Sequence, residues 1–286
     1  MNVKILADSG CDLSKSHYNE FGIEMVPLTV QLDEKEYEDG ISISAKTVYN
    51  AMRNGKAPKT SQVSQQAFKT VFTFYAEKNQ PLVYIGLSSE LSGTFQAAKL
   101  VQQEVKDEYP DAPIHIVDTK CASLGIGLIV LRAAQLAQDG ASIEEILETA
   151  TYLATHMEHI FTVDDLEYLY RGGRVSKTAA FVGTLLKIKP ILHVEGGNLI
   201  PLEKIRGSKK LLNRILEIMG ERGKDLSNQI VGISHGDDLE TANKLAQLIK
   251  EQFNPKDVQI EMVGSSIGAH AGPGTLALFF LNDEPK

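Results

Sequence analysis

Two cysteines, Cys11 and Cys121, are all that this chain of 286 residues contains. That number cannot build a disulfide framework, and it fits a reducing compartment. Long apolar runs are missing too, since no stretch approaches the ~18 residues that a membrane-spanning helix needs. The opening residues, Met1 to Asp8, have neither the basic start nor the apolar core of a secretory leader, so a cytoplasmic location is expected. Aromatic residues are only 7%, but hydrophobic residues reach 43% against 23% charged, which excludes a disordered polymer and a fibre. At ~100–200 residues per domain, one large or two moderate globular domains are expected.

Positive charge is also in deficit, with 29 basic against 37 acidic residues and a net charge of −8. What there is concentrates locally. Residues 171–214 hold ten basic side chains against only Glu195 and Glu203. An acidic chain is a poor nucleic-acid binder, because phosphates need a cationic footprint. One basic band on an acidic protein suits a phosphate-bearing ligand or an acidic protein partner, or else a solvated face with no partner.

Apolar runs alternate with helical patterns through the first half. Val3–Ala7, Met25–Leu32, Leu82–Leu87 and Ile114–Val117 read as strands. Helices are predicted at Ser44–Asn54, after Ser64 as N-cap, from Thr94 to about Tyr109, at Leu124–Gln138 and at Ser142–Thr155. The acidic stretch Asp33 to Asp39 reads as a loop. Such alternation predicts an N-terminal α/β domain, residues 1–156, with a mainly parallel sheet and flanking helices.

The remainder, 157–286, is patterned as an α/β domain with a mixed or antiparallel sheet. Pro190–Val194 and Leu199–Ile205 flank Glu195-Gly196-Gly197-Asn198 as a hairpin. Helices at about Lys209–Arg222 and Leu239–Phe253 bracket a strand at Gln229–Ile233, and Val258–Val263 and Thr275–Leu281 close the sheet. Residues 264–274, rich in glycine, read as a loop. Ala179–Leu186 could line a pocket or be an ordinary core helix.

Two segments echo each other. Asp8-Ser9-Gly10-Cys11 and Asp118-Thr119-Lys120-Cys121 each follow a strand, and in a parallel sheet such ends share the edge where ligands bind. Helix capping explains each pair equally well. The densest signal is Leu87-Ser88-Ser89-Glu90-Leu91-Ser92-Gly93-Thr94, where three serines meet a helix start. Free N–H groups and hydroxyls there suit one carboxylate, and Thr60-Ser61 could join from another loop. No lysine lies in 88–96, so this is not a typical triphosphate cradle.

Other motifs are weak. Arg171 to Thr178 lacks the second glycine of a Walker loop, and Gly125-Ile126-Gly127 has Val130 where a dinucleotide fingerprint wants a small residue. His156 and His159 could share a helix face, but no third metal ligand has a recognisable spacing. Asp164-Asp165 and Asp237-Asp238 read as helix caps. Gly232-Ile233-Ser234-His235-Gly236 satisfies G-x-S-x-G, and Asp257 and His270 follow in hydrolase order. Too little chain remains after it for the βα units that position a hydrolase's acid and base. A Ser-His hydrolase using Ser234 is the alternative reading.

Taken together, these segments resemble the DegV family of bacterial fatty-acid-binding proteins. The resemblance is carried by Asp8-Ser9-Gly10-Cys11-Asp12-Leu13, Thr60-Ser61-Gln62, residues 87–94, Val163-Asp164-Asp165-Leu166 and Arg171-Gly172-Gly173-Arg174. Lys189-Pro190-Ile191-Leu192, Glu203-Lys204-Ile205-Arg206 and Gly272-Pro273-Gly274-Thr275 continue it in order. Val63 departs from it, standing where many relatives have proline.

The resemblance implies a long-chain fatty acid held between two α/β domains, with no cofactor and no metal. It assigns the carboxylate to Thr60, Ser61 and Ser92, with Thr94 nearby, and adds His270. It also implies a carrier rather than an enzyme, presenting its acid to a separate fatty-acid kinase. Arg206 and His270 would support phosphoryl transfer there. Arg171, Arg174, Arg206 and Lys209 are expected to form the docking surface for the kinase.

Overall fold

The computed structural model describes residues 3–176 and 188–283. Four parallel strands, β1 (Lys4–Asp8), β2 (Glu24–Val26), β6 (Leu82–Gly86) and β7 (Ile114–Asp118), form a sheet in the order β2-β1-β6-β7. The crossover to β2 runs through α1 (Lys15–Phe21), and α4 (Thr94–Glu108) joins β6 to β7. β6 is buried along its whole length, as a strand covered on both faces must be.

A six-stranded mixed sheet takes its strands from β8 (Met157–Thr162) onward, in the order β10-β9-β8-β13-β11-β12. Its members are β9 (Ile188–Glu195), β10 (Asn198–Arg206), β11 (Ile230–His235), β12 (Asp257–Met262) and β13 (Leu276–Leu281). Only β11 and β12 pair in parallel; the other neighbours are antiparallel. The parallel N-terminal sheet and mixed C-terminal sheet are those expected from the alternation pattern.

β13 shows how the period of two builds this half. Leu276, Leu278 and Phe280 enter one core with the helices at Ser208–Arg222 and Leu239–Phe253. Ala277, Phe279 and Leu281 face the opposite way, into a core shared with the N-terminal half. Between the two sheets lies the helix α5 (Leu124–Gln138), apolar nearly all round as a doubly covered helix should be. A Cβ at Gly125 would lie 2.5 Å from His159 Nε2, and one at Gly127 2.8 Å from the Cys11 carbonyl oxygen. The glycines that mimic a nucleotide fingerprint are there to let α5 approach both halves.

Three local expectations need correction. Met25–Leu32 is not one strand, because Pro27 offers no N–H to a ladder. The run splits into β2 and β3 (Thr29–Leu32), in different sheets. The acidic loop instead turns at Asp33 and Glu34, both in the left-handed region, and returns as β4 (Lys35–Glu38). With β5 (Lys59–Ser61) these make a small sheet, β4-β3-β5. The glycine-rich stretch after β12 contains a helix, Ser265–Ala271, packed on the helix Ala45–Arg53. A Cβ at Gly268 would come 2.5 Å from the Tyr49 hydroxyl, so glycine permits the contact.

Caps are as the sequence predicts. Ser44 Oγ accepts from Thr47 N–H, Ser64 Oγ from Ala67 N–H, and Asp165 and Asp238 cap their helices through side-chain oxygens. His156 and His159 do not share a helix face, because a helix ends at His156 and β8 carries His159. Among the described residues no helix is long and apolar enough to cross a membrane.

Candidate functional site

Of the two strand-end aspartates only Asp8 caps a helical turn, Ser9–Cys11, and both do more. Asp8 Oδ1 accepts from Gly10 N–H, while its Oδ2 accepts from Leu87 N–H at 2.9 Å and the Tyr84 hydroxyl at 2.6 Å. Asp118 Oδ1 accepts from Lys120 N–H and from Ser89 N–H. Both carboxylates therefore grip the loop that follows β6, one from each side. Burial pushes the Asp8 carboxyl up from its usual range, partly offset by those three donors. The serine-rich loop is thus fixed by residues 29 and 79 positions away in the chain.

Beside this loop opens a cavity of about 240 Å³, bounded by both halves. One water needs only ~10–15 Å³, so this is not a packing defect. Its walls are mainly apolar, with Leu28, Leu87, Leu169, Val263, Ile267 and Phe279 prominent. Polar groups converge at Thr60, Ser61 and Ser92, on β5 and the loop before α4, and at His270 and Arg174. A concave apolar space with few convergent polar groups is the usual form of a small-molecule site.

The polar groups hold one another in place. Thr60 Oγ1 and His270 Nε2 are 2.6 Å apart. Ser92 Oγ lies 2.9 Å from Thr94 Oγ1 and accepts from Thr94 N–H at 3.2 Å. Thr94 does not line the cavity. It is fully buried behind Ser92, where its Oγ1 accepts from Val63 N–H. A Cβ at Gly93 would lie 2.1 Å from Gln62 Oε1, so glycine lets the Thr60-Ser61-Gln62 segment close on the serine loop.

His270 is neutral at pH 7. Burial pushes its imidazole down to about 4, and the nearby Arg174 guanidinium adds to the shift. Arg174 needs a correction. It is not one of the free surface cations expected of the docking face, because its Nε and Nη2 donate to the Leu91 carbonyl at 3.0 and 2.8 Å. Its Nη1 also donates to the Gly172 carbonyl. Arg174 therefore ties the Arg171–Arg174 turn to the serine loop, and its half-buried guanidinium lines the cavity.

Thr60, Ser61, Ser92, His270 and Arg174 all line the cavity, and among them Thr60 and His270 are in direct contact. Arg171, Arg206 and Lys209 are exposed; Arg171 pairs with Glu167 and covers the Tyr168 ring. Lys177, Lys187 and the segment Ala179–Leu186 lie outside the described residues.

The hydrolase constellation does not form. Ser234 is an ordinary strand residue in β11, paired with Ala277 and Glu261, not a strained elbow. Its Oγ lies 2.9 Å from Ser123 Oγ, while His270 is bonded to Thr60. Asp257 sits four residues down β12 from Glu261, about 13 Å away at ~3.3 Å per residue.

Sequence reasoning does not place several residues at the cavity, and it weighs Ser234 only as a hydrolase nucleophile and His159 only as a metal ligand. Ser123, Ser234 and Ser266 come from three separate segments. His159 also lines it, neutral because burial pushes it down to about 4, and accepting from Ala122 N–H through Nε2. Asp12, in the left-handed region at φ 54°, lies behind Ser123.

A family model described as "Uncharacterised protein, DegV family COG1307" matches residues 2–283. The chain belongs to the DegV family. A DegV domain-containing protein of Clostridium perfringens is 41% identical over 282 residues, covering 98% of this chain and 97% of that one. The structure of a DegV family protein from Thermus thermophilus, described for its fatty-acid binding, superposes with a TM-score of 0.90. It is 31% identical and covers 98% of this chain and 99% of its own. The Streptococcus pneumoniae fatty acid kinase B3 protein, loaded with linoleic acid, matches with a TM-score of 0.87 at 25% identity. That match covers 99% of this chain and all of the other.

Proposed function

We propose that the protein binds a long-chain fatty acid in the cavity between residues 1–156 and 157–286, and presents it to a fatty-acid kinase. The observation that carries this reading is a mainly apolar cavity whose lining holds the Thr60, Ser61 and Ser92 hydroxyls and a neutral His270 imidazole. The carboxylate sits against Thr60, Ser61 and Ser92, with His270 beside them. When His270 Nε2–H donates to Thr60 Oγ1, the Thr60 proton is free for the ligand.

The energetics are consistent with this division of labour. Burying about 14 methylenes at ~0.8 kcal/mol each sets an upper bound near 11 kcal/mol. Desolvating a carboxylate costs several kcal/mol unless it is hydrogen-bonded. The tail supplies affinity, then, and the hydroxyls set orientation. Neutral donors also leave the carboxylate more nucleophilic toward a phosphoryl group than a tight ion pair would.

Two similar proteins support the reading, one described as a fatty-acid binder and one as part of a fatty acid kinase. Exposed Arg171, Arg206 and Lys209 offer the kinase a cationic face. Mass spectrometry of small molecules released on denaturing the purified protein tests the binding step. A C14–C20 fatty acid in near-stoichiometric amount is the expected result, and its absence after incubation with such acids refutes it.

A further inference from the structure

The cavity follows one face of the large sheet. Thr275, just ahead of β13, and the alternate residues Ala277 and Phe279 all line it. So do Phe161 and His159 of β8, which pair with Ala277 and Phe279. The Thr275 end lies beside His270, because Thr275 Oγ1 donates to the carbonyl of Ala271, the next residue in the helix Ser265–Ala271. Four residues at ~3.3 Å each place Phe279 about 13 Å further along the strand. Thr60 and His270, in contact with each other, thus mark one end of the space, and the His159–Phe279 pair marks the other.

Beyond that pair the surroundings change. The next residues facing the same way, Met157 and Leu281, pair with each other and border a second space of about 630 Å³. α5 shows the same division. Ala122 and Ser123, just ahead of it, line the cavity, whereas Leu128 within it lines the second space. Gly125 lies between them, where a Cβ would come 2.5 Å from His159 Nε2 and 3.0 Å from Phe279 Cδ1. The two rings meet edge to face with centroids 5.1 Å apart. His159 Nε2 accepts from Ala122 N–H, which leaves the proton on Nδ1, 3.1 Å from the Met157 carbonyl oxygen. With both nitrogens engaged, the ring presents carbon rather than a polar atom to a ligand.

We infer that His159 and Phe279, with α5 held against them at Gly125, form the partition that ends the acyl-tail pocket and sets the longest chain it accepts. This rests on the fatty-acid reading of the same cavity and adds where the methyl end of the ligand stops. While the chain still fits, each added methylene should tighten binding about fourfold. The first methylene to meet the partition should not. Trimming Phe279 opens room toward the second space. A carbon added at Gly125 must push one or both rings off α5, and both border the cavity.

The test is calorimetric titration of delipidated protein with a series of saturated acids lengthened carbon by carbon, in the parent, Phe279→Leu and Gly125→Ala. The parent should show a chain length at which the gain per methylene stops. Phe279→Leu should move that limit to longer acids, with about a fourfold gain for the first acid beyond the parent's limit. Gly125→Ala should move it to shorter ones. Thermal melts check that each variant is folded, and if Gly125→Ala is not, Phe279→Leu decides alone. A limit unmoved in Phe279→Leu, or a loss shared equally by all chain lengths in either variant, makes the pair ordinary core and overturns the inference. If no acid binds the parent, the underlying fatty-acid reading has failed, and the partition falls with it.

Discussion

Gly172→Ala reads out the placement of His270 directly. Gly172 has φ −73°, so alanine meets no backbone penalty there. Its new Cβ would lie 2.0 Å from His270 Nδ1 and 2.9 Å from Cε1, where ordinary contact begins at 3.4 Å. The ring must retreat by more than an ångström, which breaks the 2.6 Å contact of Nε2 with Thr60 Oγ1. Losing one internal hydrogen bond costs about 1 kcal/mol, a fall in Tm of roughly 2–4 °C at this chain size. Fatty-acid affinity should weaken about tenfold, because Thr60 loses the partner that aims its proton. Gly173→Ala is the control. Gly173 has φ +75° and open space around the added carbon, so it costs ~1–2 kcal/mol of backbone strain and leaves His270 alone. Thermal melts and calorimetric titration with palmitate compare the two. The reasoning is refuted if Gly172→Ala binds like the parent protein, or if both variants weaken binding equally.

Ser92→Ala should lower the lipid retained through purification without unfolding the protein; unchanged lipid content would remove Ser92 from the head-group site. Asp8→Ala frees three buried donors and should destabilise by about 3 kcal/mol in denaturant melts. Imidazole resonances of His159 and His270 should stay neutral from pH 7 to about 5, since both titrate near 4. Their depressed values make each contribute stability that is complete above ~6.5 and is lost as pH falls from there toward 4. Burial of Asp8 and Asp12 raises their carboxyls and acts in the opposite sense, so the site-resolved titration is the cleaner measurement. Charge reversal at Arg206 and Lys209 should weaken kinase-dependent phosphorylation and leave lipid content unchanged. Loss of bound lipid in that variant would instead assign these two a structural role.

What was legible in the sequence was what local physics encodes. The helices Leu124–Gln138 and Leu239–Phe253 end where their periodicity ends, and Ser64 caps where its position predicts. The hairpin around Gly196-Gly197 was readable because two left-handed residues between apolar runs admit few alternatives. β4 was missed because Lys-Glu-Tyr-Glu carries no apolar alternation, as an exposed edge strand need not. The helix at Ser265–Ala271 was missed because its glycines look like breakers, and only the distant Tyr49 shows why one of them is required. Part of the candidate site could be read because residues 87–94 lie together in the chain. Arg174 could not be placed, since its bond to the Leu91 carbonyl spans 83 positions. The contact between Ser123 and Ser234 spans 111 and left no local trace.

The head-group position is the claim on which the rest depends, and a fatty acid labelled with ¹³C at its carboxyl carbon tests it most directly. Bound to the parent protein, the label should give one shifted resonance that does not titrate through the usual carboxylate range. Thr60→Val and Ser92→Ala should each move that resonance. A bound signal indifferent to both substitutions, or one that titrates as in free solution, would contradict the account.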